Sequence, residues 1–251
     1  MTPIVLLSAF CLAGHPAGSA ADPACDPDTT VVAGGVRVYR WHSPRLIVIS
    51  VPDTLRFVYD GRNGATVDSV ARREGFRCAV NGSFFDGVRG SAVHAGWLSR
   101  YGHIETPLKT DPELTHVVRL RGNARAIDFV PAASFAHAEN PGCVEFQTGP
   151  LVVERGTIRH DLIRAAPNGL TKHARTLIAS CGRRRLFLVS VPEPVTLPEI
   201  ASRLLRLSVF RGGTLDVINL DGGSSVSLYV RDVPGLSVNA EDRLPVLLGF
   251  P

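Results

Sequence analysis

Leu215-Asp216-Val217-Ile218-Asn219-Leu220-Asp221-Gly222-Gly223-Ser224-Ser225 carries the chain from a buried apolar strand straight into polar chemistry. The run from Leu215 to Leu220 follows Gly212-Gly213 and reads as a strand. It ends on an acid, two glycines and two serines. Gly222 and Gly223 can take backbone angles closed to other residues and let a ligand approach the main chain. Ser224 and Ser225 add hydroxyls that donate or accept. Asp-Gly-Gly also suits a plain turn, so the local pattern leaves turn and site both open.

Similar short apolar runs lie on both sides of it. Strands are expected over 36–39, 46–51, 55–59, 76–80, 94–98, 117–120, 126–130, 176–180, 186–191, 226–230 and 244–250. Asn63-Gly64 marks a turn, and Arg121-Gly122-Asn123 and Gly182 to Arg185 read as hairpin tips. Residues 101–115 and 131–143 read as loops, and Gly149-Pro150 interrupts the apolar stretch 144–153. Two short helices are expected. Thr66 caps one that runs through Glu74 and stops at Gly75. Thr196-Leu197-Pro198-Glu199 opens the other, with Ile200, Leu204, Leu205 and Leu207 as its buried face. Many strands without regular strand–helix alternation predict an α+β fold. It should be a single domain of largely antiparallel mixed sheets with a few short helices packed on them.

At 251 residues, with 45% hydrophobic and 20% charged residues, the chain is globular in composition. A domain this long buries roughly 70–75% of its unfolded surface and needs no metal or disulfide to fold. The net charge is +4, with basic clusters at Arg72-Arg73, Arg119 to Arg125 and Arg183 to Arg185. No aromatic-interleaved basic stripe accompanies them, so nucleic acid is not an expected partner.

Residues 1–20 read as a secretory signal. Ile4 to Ala13 is apolar but too short to span a bilayer, and Gly18-Ser19-Ala20-Ala21 offers small residues for cleavage. The leading residues carry no Lys or Arg, and Phe10 before Cys11 argues against a lipoprotein site. The expected product has a lead-in over 21–34 and a domain over 35–251. It is periplasmic or secreted and has no membrane helix after cleavage. Cys25, Cys78, Cys143 and Cys181 then remain, which allows three pairings. One or two disulfides are expected, with buried free thiols as the alternative. No C-x-x-C spacing supports a zinc cluster.

Polar residues interrupt the apolar strands at a few places. Asn81 and Asp86 flank a glycine and two phenylalanines, His173 and Arg175 begin a strand, and Asp221 ends one. Strand ends are where a rigid sheet presents chemistry. Each has a plainer reading: Asn81 and Asp86 as turn caps, Arg175 in a structural ion pair, His173 as a loop histidine, Glu145 and Glu154 as ordinary strand or loop acids. The nucleophile elbow, P-loop, H-E-x-x-H and dinucleotide fingerprints are missing from the sequence.

Five segments, in order, carry a resemblance. They are Ala79-Val80-Asn81-Gly82-Ser83-Phe84-Phe85-Asp86, Thr148-Gly149-Pro150-Leu151-Val152-Val153, Arg175-Thr176-Leu177-Ile178-Ala179, the Thr196 to Leu205 helix, and Asn219 to Ser225. Across roughly residues 35–250 the chain resembles the phosphodiester glycosidases, relatives of the lysosomal uncovering enzyme that removes N-acetylglucosamine from a phosphodiester on mannose. Cys181-Gly182-Arg183 departs from the family's pattern.

The resemblance implies hydrolysis of a sugar C1–O–phosphate linkage, in an envelope or extracellular glycan. The leaving phosphate monoester has a second pKa of about 6 and departs without a strong acid. It needs its growing charge neutralised, for which Arg175 is the expected guanidinium fork. Main-chain N–H groups from Gly222 to Ser224, with the Ser224 and Ser225 hydroxyls, would form an anion nest. Thr176 and Asn219 join them in the expected substrate site, and Asn81 would hold a sugar hydroxyl, an acetamido group or a phosphate oxygen. The oxocarbenium-like sugar wants a carboxylate: Asp221 first, as base or nucleophile, and Asp86 second. No cofactor is firmly expected, and a divalent cation bridging Asp86 or Asp221 to phosphate stays open. Two other classes also stay open: a non-catalytic module binding anionic glycans, and a metal-dependent phosphodiesterase attacking phosphorus.

Overall fold

The computed structural model describes residues 26–33, 36–42, 45–51, 55–59, 65–87, 92–121, 127–137, 141–182, 185–233, 235–238 and 244–251. The expected signal, Cys25, the Asn63-Gly64 turn and Arg183-Arg184 lie outside the described residues. Three sheets and a two-stranded ribbon are present, and their strand pairs are antiparallel. The largest sheet has eight strands: Thr29–Ala33, Val36–His42, Arg45–Val51, Arg185–Val195, His173–Cys181, Leu215–Asn219, Leu151–Glu154 and Thr157–Ile158, in spatial order. A five-stranded sheet runs Ile127–Pro131, His116–Arg121, Cys143–Thr148, Leu98–Arg100, His103–Thr106. A four-stranded sheet runs Leu228–Val230, Cys78–Asn81, Val246–Phe250, Arg56–Tyr59. Among the described residues three α-helices, α1 (Val67–Arg73), α2 (His160–Ala165) and α3 (Leu197–Arg206), pack on them.

Strand alternation decides the layering. Successive side chains point to opposite faces, so a strand that is apolar throughout must be covered on both. On one face Ile47, Ile49, Ile178, Leu188 and Ile218 meet Val80 and Leu248 of the four-stranded sheet and Val118 and Phe146 of the five-stranded one. The alternate residues, Leu46, Val48, Leu177, Val189 and Val217, pack against Ile163 of α2 and Leu197, Ile200 and Leu204 of α3. α1 closes the far side, setting Val67, Val70 and Ala71 against Phe76, Ala79 and Leu247. This is the α+β single domain that the patterning predicts.

Both expected helices start as their sequences dictate. The Thr66 hydroxyl accepts from Ser69 N at 3.3 Å. At α3, Thr196 Oγ1 accepts from Glu199 N at 3.3 Å, and the Glu199 carboxylate accepts from Thr196 N at 2.8 Å. Leu205 is 36% exposed, contrary to expectation. The stripe facing the sheet is Leu197, Ile200, Ala201 and Leu204, and Leu205 lies one helical step beyond it.

The structure adds elements that the pattern missed. α2 has no side-chain cap at Arg159, so no capping signal announces it. His103–Thr106, inside the expected polar loop, is a sheet edge whose burial is too slight to leave an apolar signature. Thr29–Ala33, within the lead-in, pairs with Val36–His42. Cys78, Cys143 and Cys181 are free and buried, so the described residues contain no disulfide. Burial pushes the Cys78 thiol up to about 12, leaving it inert as a nucleophile at neutral pH. The basic clusters are paired where they are described: Arg72 with Asp68, Arg121 with Asp128, and Arg119 with Glu145. Glu145 and Glu154 are in ion pairs as well, Glu145 also with His137 and Glu154 with Arg159.

Candidate active site

Two strands from different sheets end side by side, and one buried amide locks them. Asn81, at the end of Cys78–Asn81, is 1% exposed. Its Nδ2 donates to the Asp221 carbonyl at 2.7 Å. Its Oδ1 accepts from Thr176 Oγ1 at 2.6 Å and from Ser227 N at 3.2 Å. Asp221 N donates to the Gly82 carbonyl at 3.1 Å. The acid is therefore held through its own backbone from both sides. Asn219 is fixed too: its Nδ2 donates to Gly149 O at 3.0 Å and its carbonyl accepts from Thr148 Oγ1 at 3.0 Å. Its Oδ1 is buried and takes no hydrogen bond from the described residues.

Proline opens the large sheet next to this lock. Pro192 and Pro194 have no N–H to give the ladder, and the pairing of His173–Cys181 with Arg185–Val195 shifts register between His173 and Arg175. The displaced Ala174 carbonyl packs against Gly222, where an added Cβ would lie 2.7 Å from it, so only glycine fits.

A cavity of about 150 Å³ opens at this junction. Its polar wall is Glu113, Asn168, His173, Arg175, Asn219 and Asp221. Gly222 and Gly223 form its floor, and Phe84, Pro150 and Leu197 give it an apolar side. Arg175 is its most informative member. At 4% exposure, it donates from Nη2 to Asn168 O (2.7 Å) and Thr171 O (2.8 Å), and from Nε to Val195 O (3.3 Å). None of these bonds uses Nη1. Among the described residues no carboxylate lies within ion-pair distance of it. Desolvation lowers its pKa to about 10, and the charge of Glu113 acts the other way. The guanidinium stays cationic at neutral pH and is stabilised by any anion that enters.

The cavity thus gathers Arg175, Asn219, Asp221, Gly222 and Gly223 of the expected residues and leaves the rest outside its lining. Asn81 and Thr176 are spent on each other and on the Asp221 backbone. Asp86 is exposed and paired with Lys109. Ser225 is the last residue of a short 3-10 turn, Gly223–Ser225, and donates its N–H to Gly222 O at 3.2 Å. Ser224 sits in the same turn, exposed. Gly222 N donates to Asp221 Oδ1 at 2.8 Å, so that amide orients the acid and is not open to an anion. His173 lines the cavity, which its reading as a loop histidine did not foresee. Glu113 and Asn168 also went unmarked, since an acid and an amide in polar loops carry no periodic signal. Among the described residues no three His, Cys, Asp or Glu side chains are grouped to hold a metal ion.

Fold and cavity together define a class: a single antiparallel-sheet α+β domain with a buried arginine and a carboxylate held where two sheets meet. The chain belongs to the phosphodiester glycosidase family, whose sequence profile matches residues 74–249. Among the solved structures that share the fold are these three. The catalytic domain of zebrafish N-acetylglucosamine-1-phosphodiester alpha-N-acetylglucosaminidase, auto-inhibited by a pro-peptide, superposes with a TM-score of 0.59 at 16% identity, covering 88% of this chain and 80% of that one. A Burkholderia pseudomallei protein described as exported gives 0.64 at 12% identity, with 86% and 74% covered. A hypothetical protein from Synechocystis gives 0.54 at 14% identity, with 88% and 60% covered. No curated protein matches the sequence.

Proposed function

We propose that the cavity binds a sugar phosphodiester and that the protein hydrolyses its C1–O–phosphate bond. The observation that carries this is Arg175: a buried cation that has no carboxylate partner among the described residues and faces the same cavity as Asp221. Burying an arginine without a counter-charge costs several kcal/mol, and a phosphate oxygen accepting from Nη1, the nitrogen that the carbonyls leave open, offsets that cost. On the sugar side Asp221 faces the charge that builds at C1 as the bond breaks. Its carboxylate is aimed by Gly222 N, and its backbone is fixed by Asn81 and Gly82. The leaving phosphate needs charge neutralisation more than a proton, and Arg175 supplies it. Asn219, beside them, borders the substrate.

We also infer that the chain acts outside the cytoplasm, on an envelope or extracellular glycan. The apolar stretch from Ile4 to Ala13 supports this, and no described helix is long and apolar enough to cross a membrane. Hydrolysis of N-acetylglucosamine-1-phosphodiester in isotopically labelled water tests the reaction. Cleavage at C1 places the label in the sugar. Label in the phosphate would mean attack at phosphorus and would overturn the glycosidase reading.

A further inference from the structure

Resting on that reading of the cavity, we propose that Glu113 is the base that activates water in the reaction. Glu113 lines the same cavity as Arg175 and Asp221. One of its oxygens, Oε1, accepts from Asn168 N at 3.2 Å and Asn168 Nδ2 at 2.8 Å. The second oxygen takes no hydrogen bond from the described residues. The carboxylate is therefore oriented by one oxygen and offers the other.

Its loop is anchored rather than loose. Gln147, 0% exposed, donates to Lys109 O at 2.7 Å and Leu114 O at 2.8 Å, gripping both ends of the segment. Asp111 Oδ1 accepts from Glu113 N at 2.7 Å. Gly149 packs so closely that an added Cβ would sit 2.6 Å from the Glu113 carbonyl. Asn168 joins the two groups: its carbonyl accepts from Arg175 Nη2 at 2.7 Å while its side chain donates to Glu113. Among the described residues Glu113 forms no ion pair.

The chemistry leaves this role open. Because phosphate departs without an acid, a second carboxylate in the cavity is free to serve as base. Glu113 takes a proton from water while the water oxygen bonds to C1. The C1–O bond breaks, its electron pair stays on the phosphate oxygen, and the phosphomonoester leaves. The proton on Glu113 then passes to solvent.

Wild type, Glu113→Gln, Glu113→Ala and His173→Gln are assayed on N-acetylglucosamine-1-phosphodiester across pH, with melting midpoints as fold controls. Glutamine keeps the acceptor for Asn168 and removes only the base. The expected result is a kcat at least about 100-fold lower with KM little changed, and loss of the acid limb of kcat/KM. Azide, which attacks C1 without a base, should restore phosphomonoester release by Glu113→Ala and yield the glycosyl azide. Wild-type turnover that Glu113→Gln leaves intact overturns this inference alone, as does an acid limb that disappears only in His173→Gln. A wild type that turns over no sugar phosphodiester overturns the reading of the cavity, and this inference with it.

Discussion

Replacing Asn81 by alanine should destabilise the fold and disable the site in one step. The side chain is 1% exposed and makes three hydrogen bonds: 2.7 Å to the Asp221 carbonyl, 2.6 Å from Thr176 Oγ1 and 3.2 Å from Ser227 N. Each partner left unsatisfied in the interior costs about 1–3 kcal/mol. Three of them, less what one water filling the gap restores, give a loss of roughly 3–5 kcal/mol, a large share of a typical domain's stability. Asn81→Asp sharpens the test. It keeps the acceptor for Thr176 and Ser227 but turns a carboxylate oxygen toward the Asp221 carbonyl. Burial raises the pKa of such an acid in the folded state, so the deficit of that variant relative to wild type at the same pH should shrink as pH falls and the acid protonates. Urea unfolding, followed by circular dichroism, gives both numbers. A loss below about 1 kcal/mol in Asn81→Ala, accompanied by a raised KM alone, would refute the lock. It would return Asn81 to direct substrate contact.

Three further outcomes are expected. His94 and His116 are both buried and held neutral, each lowered by desolvation to about 4 from an ordinary 6.5. The unfolded chain binds protons first, so stability is complete above pH 6.5 and falls by about 3 kcal/mol per histidine as pH drops toward 4; urea midpoints unchanged between pH 7 and 4.5 would contradict this. Arg175→Lys keeps a charge but cannot span three carbonyls and a phosphate, so inorganic phosphate should bind at least about tenfold more weakly by calorimetry. Asp86→Ala, removing an exposed partner of Lys109, should change the unfolding free energy from urea titration by less than about 0.5 kcal/mol and leave hydrolysis within about twofold of wild type.

Much of this fold is legible in the sequence because period and punctuation agree. Leu46 to Ile49 and Leu186 to Val189 are apolar on both faces, which calls for a covered sheet, and the capping box at Thr196 places α3. α2 is not legible, since it lacks a cap and contributes one buried residue, Ile163. The site divides the same way. Asp221 and Arg175 are visible because they interrupt apolar strands. Asn81 is visible for the same reason and Thr176 through the family resemblance, but only the fold shows that they face each other across two sheets. Asp86 has the same local look, yet its side chain turns out to Lys109. Glu113 becomes part of the cavity only through contacts distant in sequence, with Gln147 holding its loop and Asn168 its carboxylate. Neither contact leaves a local pattern.

The central claim is that Arg175 and Asp221 form one hydrolytic site, and the most direct measurement is turnover of N-acetylglucosamine-1-phosphodiester by the purified chain beside Asp221→Asn. The account predicts free sugar and phosphomonoester from the wild type, lowered at least about 100-fold in the variant while its melting midpoint holds. Undiminished release by Asp221→Asn, or no release by the wild type from this and related sugar phosphodiesters, would contradict it.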